Sequence, residues 1–259
     1  MTWTTLPRSD RNGLAVVAAG KGPRVLLIHG VGLRAEAWNA QISGLSPRHE
    51  ILAPDLPGHS ASAPLPEVPD LQAYSDRIAS LLDRPAVVVG HSMGAMIALD
   101  IACRYREQVH GVVALNAIFR RSPAARVAVQ ERAARMDETG TADPMPTLVR
   151  WFGERSSPER DACHGWLSDM DPQGYRAAYS VFTREDGPAD EALRGLSCPS
   201  LFMTGGREPN STPAMSQAMA ALAPDSKVSV VEEAAHMMPM THPSEVNRGL
   251  LEFAERCQP

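Results

Sequence analysis

Long apolar runs are missing from this chain of 259 residues. No stretch approaches the roughly 20 consecutive apolar residues that a helix needs to cross a bilayer, so no helical membrane span is expected. Lysine is nearly missing as well: only Lys21 and Lys227 stand among 25 basic residues, a bias toward arginine with no functional content of its own. An excess of positive charge is also missing, and a formal net charge of −5 leaves no electrostatic footprint for nucleic acid. Cysteine is sparse and dispersed. Cys103, Cys163, Cys198 and Cys257 form no C-x-x-C pair and read as free thiols of a reducing compartment. Cys163 adjoins His164, but no further ligand sits at metal spacing, so no metal is expected. The first residues, Met1-Thr2-Trp3-Thr4-Thr5, lack the basic-then-apolar pattern of a secretory signal, and a cytoplasmic location is expected.

What is present is the composition of a globular domain, 44% hydrophobic and 21% charged, long enough for one large α/β unit with an insertion. Short apolar runs alternate with amphipathic ones. Leu14–Ala19, Val25–His29, Ile51–Pro54, Ala86–Val89, Val112–Leu115, Leu201–Thr204 and Val228–Val231 read as strands. Ala35–Leu45, Leu71–Leu82, Met93 to about Arg104, Pro213–Leu222 and Pro243–Arg256 read as helices, the last two opening on a proline that suits a first helical position. The alternation predicts a mostly parallel central sheet flanked by helices. It breaks between about Ile118 and Leu196, where Ala124–Met136, Met145–Phe152, Pro158–Met170 and Gly174–Arg184 are helix-like and no strand is convincing. The expected division is therefore a core of residues 1–118 and 197–259 with a helical cap of 119–196 inserted over the carboxyl ends of the strands, where open α/β sheets bind ligands.

The run Val87-Val88-Val89-Gly90-His91-Ser92-Met93-Gly94 carries the most specific signal. Three valines predict a strand buried on both faces, and G-x-S-x-G between that strand and a helix predicts a strained turn that lifts a serine hydroxyl clear of the sheet. A serine needs a base and a group to orient that base. Of eight histidines, His236 is the first after the final strand, in a loop able to return to Ser92. His29 and His91 end strands beside glycines and serve the turns, His29 also bordering the pocket; His49, His110 and His242 read as surface or capping residues. Glu208 is the carboxylate just past the penultimate strand and its Gly205-Gly206 turn, placed to accept from Nδ1–H of the histidine. Asp137, Asp169, Asp171 and Asp225 are less well placed. Developing negative charge on a substrate oxygen needs aimed donors. The backbone N–H groups of Met93 and of Val31, in the turn His29-Gly30-Val31-Gly32, are the candidates.

These pieces, in one order, resemble the α/β-hydrolase superfamily nearly end to end: His29-Gly30-Val31-Gly32, Asp55-Leu56-Pro57-Gly58-His59-Ser60, Gly90-His91-Ser92-Met93-Gly94, the Gly205–Pro213 loop, and His236 followed by Pro243. The resemblance implies Ser92 as nucleophile, His236 as base, and Val31 and Met93 as oxyanion donors. The family usually has aspartate where Glu208 stands, and glutamate serves in parts of it. The alternative place for the acid in some relatives, after Val112–Leu115, holds Asn116, which does not ionise. Serine at the turn differs from haloalkane dehalogenases and epoxide hydrolases, and Met237 stands where carbon–carbon hydrolases carry tryptophan. The Val25–Ser60 region is similar to pimeloyl-carrier-protein methyl esterases, lactonases and enol-lactonases.

The expectation is a cofactor-free serine hydrolase of small carboxylic esters or lactones, working through an acyl-enzyme. Perhydrolysis or haloperoxidation, lyase chemistry and carbon–carbon hydrolysis are alternatives on the same scaffold, and a ligand-binding protein is a further one. The pocket is expected to be largely apolar, drawing on His29, Met96, Trp151, Trp166 and Met237, with Phe152 and Tyr175 near by. Arg120, Arg121, Arg126, Arg132 and Arg135 cluster with only Glu131 against them. They read as a solvated helix face, the alternatives being an acidic carrier protein or a substrate carboxylate.

Overall fold

The computed structural model describes residues 3, 5–66, 69–136 and 143–257; Met1, Thr2, Thr4 and Asp137, all named above, lie outside them. Among the described residues the chain runs β1 (Ser9–Arg11), β2 (Leu14–Ala19), β3 (Arg24–Ile28), α1 (Asn39–Leu45), β4 (Glu50–Pro54), α2 (Leu71–Ala79), β5 (Ala86–His91), α3 (Met93–Arg104), β6 (Val109–Leu115). Five helices follow: α4 (Pro123–Ala134), α5 (Met145–Phe152), α6 (Pro158–Ser168), α7 (Pro172–Arg184) and α8 (Asp190–Arg194). The chain then closes with β7 (Ser200–Gly205), α9 (Pro213–Ala220), β8 (Ser226–Val231), α10 (Met238–Thr241) and α11 (Pro243–Arg256). No helix among these is long and apolar enough to cross a membrane.

The strands form one sheet in the order β1-β2-β4-β3-β5-β6-β7-β8, antiparallel at the first two junctions and parallel from β4 to β8. The alternation of side chains explains why the central strands read as unbroken apolar runs. Leu26, Ile28 and Val88 enter one core with Tyr74 and Ile78 of α2 and Ile97 and Ile101 of α3. Val25, Leu27, Val87 and Val89 enter the other with Leu45 of α1 and Val246, Leu250 and Phe253 of α11. A strand covered on both faces has no polar side to show.

The expected strands and helices lie within a few residues of their places, with instructive exceptions. β1 was not foreseen because Ser-Asp-Arg has no apolar period; it is an exposed edge paired antiparallel with β2. The helix expected over Leu71–Leu82 ends at Ala79, where the Ser80 N–H still bonds Asp76 and the buried Leu81 and Leu82 continue as turns. Pro-start helices are more general than Pro213 and Pro243 suggested. Ser122, Ser157, Asp171 and Thr212 each cap a helix by accepting from the N–H three residues on, with proline next in line. His49, read as a surface residue, is 1% exposed, beneath the turn around Gly20 and Gly22.

Candidate active site

The carboxyl ends of β3, β4, β5, β6, β7 and β8 lead directly into the segments that carry the candidate residues. At the end of β5, Ser92 has φ 57° and ψ −120°, a left-handed backbone that costs a non-glycine residue energy. Its neighbours explain why the turn holds. A Cβ on Gly90 would lie 1.9 Å from Gly94 O, and one on Gly94 would lie 2.2 Å from Ile28 O. Strand β5, helix α3 and strand β3 therefore approach only because both positions are glycine. The Ser92 N–H is anchored on Leu115 O at 2.9 Å. Ser92 Oγ forms no hydrogen bond among the described residues and lines a cavity of about 360 Å³.

His236 lines the same cavity. Its Nδ1 donates to Glu208 Oε2 at 2.8 Å, with the two side chains 12% and 0% exposed. Glu208 Oε1 accepts from the Asn210 and Ser211 N–H groups at 2.7 and 3.3 Å. Burial opposes ionisation of this carboxyl. The imidazole beside it and the two backbone donors prevail and hold it down to about 2. Both carboxylate oxygens are thus committed, one to the ring and one to its own loop. Trp151 stacks on His236 with centroids 5.6 Å apart and planes 20° apart, covering one face of the ring.

The His236 backbone is clamped. Its carbonyl accepts from Asn116 Nδ2 at 2.6 Å and from His91 Nε2 at 2.8 Å. Asn116 Oδ1 in turn accepts from Thr204 Oγ1 and the Gly205 N–H at 3.1 and 3.2 Å. Asn116, at φ 49° and 1% exposed, thereby ties the ends of β6 and β7 to the histidine loop. Sequence reasoning weighed Asn116 only as an acid and set it aside. The usable signal was a polar residue closing an otherwise apolar strand.

The turn carrying Val31 is held by two neutral imidazoles. His29 Nε2 accepts from the Leu56 N–H (2.9 Å), so its Nδ1–H donates to Gly30 O (2.8 Å). His59 Nε2 accepts from the Gly32 N–H (3.1 Å), so its Nδ1–H donates to Pro57 O (3.2 Å). Full burial, and for His59 the neighbouring His29 ring, push both imidazoles below their ordinary value, His59 to about 3. Burial, then the His236 ring, does the same to His91, also to about 3. The N–H groups of Val31 and Met93 have no hydrogen-bond partner among the described residues.

Of the expected pocket residues, Trp151 and Tyr175 line the cavity. The others are corrected by the structure. His29 is fully buried, with both ring nitrogens engaged by backbone. Met96 is buried in the first turn of α3 and does not reach the cavity. Trp166 and Met237 do not line the cavity; they pack with Leu33, Leu148, Trp151, Cys163 and Met240 in an apolar cluster that joins the helices after β6 to the core. Phe152 packs against that same cluster. The arginine cluster also divides. Arg120 pairs with Asp190 at 2.6 Å, Arg121 with Asp186 at 3.5 Å, Arg126 with Asp186, and Arg135 with Glu131 at 3.7 Å. Glu131 is therefore not the only acid against it. Arg120, Arg121 and Arg132 line the cavity, together with Arg150, which sequence reasoning missed. Thr147, Arg150 and Trp151 are spaced i, i+3, i+4, one face of α5, and that spacing was the available signal.

Strained serine turn, buried Glu–His pair and unpartnered N–H groups meet at one end of a parallel sheet, the arrangement of a hydrolase built on an α/β scaffold. The sequence profile of the alpha/beta hydrolase family matches residues 25–248, and the chain belongs to that family. Among curated relatives it is 34% identical over 259 residues to the (E)-2-((N-methylformamido)methylene)succinate hydrolase of Acinetobacter baylyi, covering 97% of each chain. It is 29% identical over 253 residues to the pimeloyl-[acyl-carrier protein] methyl ester esterase of Chromobacterium violaceum, covering 93% of this chain and 98% of that one. Among solved structures it is similar to a thermophilic esterase from Thermogutta terrifontis, solved with malate bound. The TM-score is 0.85, with 27% identity and 98% of each chain covered.

Proposed function

We propose that this chain is a serine hydrolase of carboxylic esters, lactones included, acting through an acyl-enzyme on Ser92 without a cofactor. The observation that carries this reading is the 2.8 Å bond from His236 Nδ1 to a fully buried, ionised Glu208, in one cavity with Ser92. That bond leaves Nε2 as the unprotonated nitrogen of the neutral ring. Ser92 Oγ attacks the substrate carbonyl as its proton passes to Nε2, and Glu208 stabilises the imidazolium that results. The tetrahedral oxyanion sits between the Val31 and Met93 N–H groups. His236 then gives the proton to the leaving alcohol, and water attacks the acyl-enzyme by the same route. The helices of 119–196 act as a cap. Trp151 over the ring lowers the local dielectric, which strengthens the His–Glu interaction during the reaction.

A fluorophosphonate probe tests this directly. Stoichiometric labelling read by intact mass, lost in Ser92→Ala together with turnover of short p-nitrophenyl esters, is the expected result. With base and donors left in place, the loss of turnover is expected to be about 10⁴-fold or more. An unlabelled wild-type serine that turns over no ester would move the chain to the ligand-binding reading.

A further inference from the structure

Four arginines line the cavity that holds Ser92 and His236, and among the described residues no aspartate or glutamate lines it. This is unexpected in a chain whose net charge is −5. Two of the four are ion-paired where they stand, Arg120 with Asp190 and Arg121 with Asp186, and Arg121 also donates to the carbonyls of Phe182 and Glu185; Asp190 is shared with Arg194 and Asp186 with Arg126. The other two are held differently. Arg132 donates from Nη1 to the Tyr179 hydroxyl at 3.0 Å, and Arg150 from Nη2 to Thr147 Oγ1 at 3.3 Å. A neutral oxygen orients a guanidinium without cancelling its charge. No carboxylate pairs with either arginine among the described residues.

Keeping two such groups in a half-buried cavity is costly. Burial and then the charge of Arg132 both push Arg150 below its ordinary value. Arg150 also senses the Glu208 carboxylate, and its neighbour Trp151 stacks on His236, so this charge sits beside the reacting centre. An arrangement that is uncompensated among the described residues becomes favourable when an anion enters, because guanidinium groups grip carboxylates by paired, charge-assisted hydrogen bonds.

Resting on the hydrolytic reading above, we infer that Arg132 and Arg150 form a carboxylate-binding subsite within the catalytic cavity. The acyl compounds this chain takes therefore carry a free carboxylate at the end remote from the scissile carbonyl. Tyr179 and Thr147 aim the two guanidinium groups, and the remaining N–H donors are left for the substrate. The paired Arg120 and Arg121 complete the rim.

The test compares matched esters that differ only in the distal group: monomethyl succinate, glutarate and adipate against methyl butyrate, valerate and hexanoate. The readout is the acid-to-neutral ratio of kcat/KM, which general damage to the site does not move. For at least one chain length the wild type should favour the acid at least tenfold. Arg150→Gln and Arg132→Gln should each cut that ratio roughly 10- to 100-fold, mainly through KM of the acid ester. Arg150→Lys should restore part of it. Arg126→Gln, outside the cavity, should leave it as it is. If both series are hydrolysed but the wild-type ratio is near one, or is unmoved in Arg132→Gln and Arg150→Gln, the subsite is wrong while the hydrolytic reading stands. If neither series is hydrolysed and Ser92 takes no fluorophosphonate, the hydrolytic reading fails, and calorimetry with glutarate decides the subsite. Glutarate binding that Arg150→Gln abolishes keeps the subsite. Absent binding, or binding indifferent to Arg150→Gln, overturns it, and so does tighter binding of inorganic phosphate than of glutarate.

Discussion

The two sides of the cavity are built on opposite principles. On the sheet side the side chains that position the candidate acid and base are answered. Glu208 spends both oxygens, Asn116 uses both ends of its amide, and His29, His59 and His91 sit neutral with their hydrogen bonds made to backbone. Deeper in the sheet side, Arg8 is bonded to Asp55 at 2.6 Å and to Glu36 at 2.6 and 2.8 Å, and Asp55 also takes the Ala35 N–H. On the helical side no described acid pairs with Arg132 or Arg150, α4 buries none of its residues, and Val127, Met145 and Val149 are exposed. A closed polar network fixes geometry, which proton transfer needs. An open one keeps donors for a ligand, which selection needs.

If the sheet side is a machine of fixed geometry, Glu208→Gln should cost most. The amide cannot hold the imidazolium, so kcat should fall about 10³- to 10⁴-fold while some turnover remains. A harmless substitution would place the acid elsewhere. The same pair gives a stability signature with a defined sign. The Glu208 carboxyl is depressed from its ordinary 4.5 to about 2, so its contribution is complete above pH 4.5 and is lost as pH falls toward about 2. The stability gap between wild type and Glu208→Gln should close over that window in urea titrations.

Next in size is Arg8→Ala. It strands two carboxylates, Glu36 at 1% and Asp55 at 0% side-chain exposure, and should destabilise the fold by about 3–5 kcal/mol. A loss under 1 kcal/mol in chemical denaturation would show that water reaches them. Between pH 7 and pH 5 a smaller effect per residue belongs to each of the three buried histidines. Their pKa values are lowered in the folded chain, so the unfolded chain binds protons first as the solution is acidified. Stability is complete above the ordinary 6.5 and drains toward about 3 for His59 and His91, on the order of 1 kcal/mol per pH unit for each ring. Urea midpoints should fall between pH 7 and pH 5, and His59→Asn should flatten that slope. A flat wild-type profile would contradict their neutrality. The smallest effect sharpens the contrast on the helical side. Trp166→Phe, away from the cavity, should change kcat/KM less than about twofold, whereas Trp151→Ala should change both rate and substrate preference, as measured on one ester series.

The fold was legible because its signals are local and repeated. Val87-Val88-Val89 and Val112–Leu115 announce strands covered on both faces, and helices begin where Ser122, Ser157, Asp171 and Thr212 precede proline. What escaped was either too short to show a period, as in Ser9–Arg11 and Asp190–Arg194, or was decided by a partner distant in sequence. Met237 adjoins His236 and Met96 follows Ser92 by four residues, and yet their side chains go into packing. A helix or turn sends successive residues in different directions, so adjacency in sequence says little about which face meets the cavity.

The sequence by itself determined the serine turn, since only glycine at 90 and 94 lets two strands and a helix meet around Ser92. It determined the alternation that makes a parallel sheet, and with it the order in which the candidate serine, acid and histidine arrive at the sheet's carboxyl edge. The tertiary structure alone decided which arginines are answered and which are not. Arg120, Arg121 and Arg126 find acids 60 to 70 residues away in the chain, whereas among the described residues Arg132 and Arg150 bond a phenol and a hydroxyl and no acid. Charge pairing depends on distance in space and on burial. Neither is written into the spacing of residues along a chain, so the selectivity of the cavity becomes visible only once the helices after β6 have come down over the sheet.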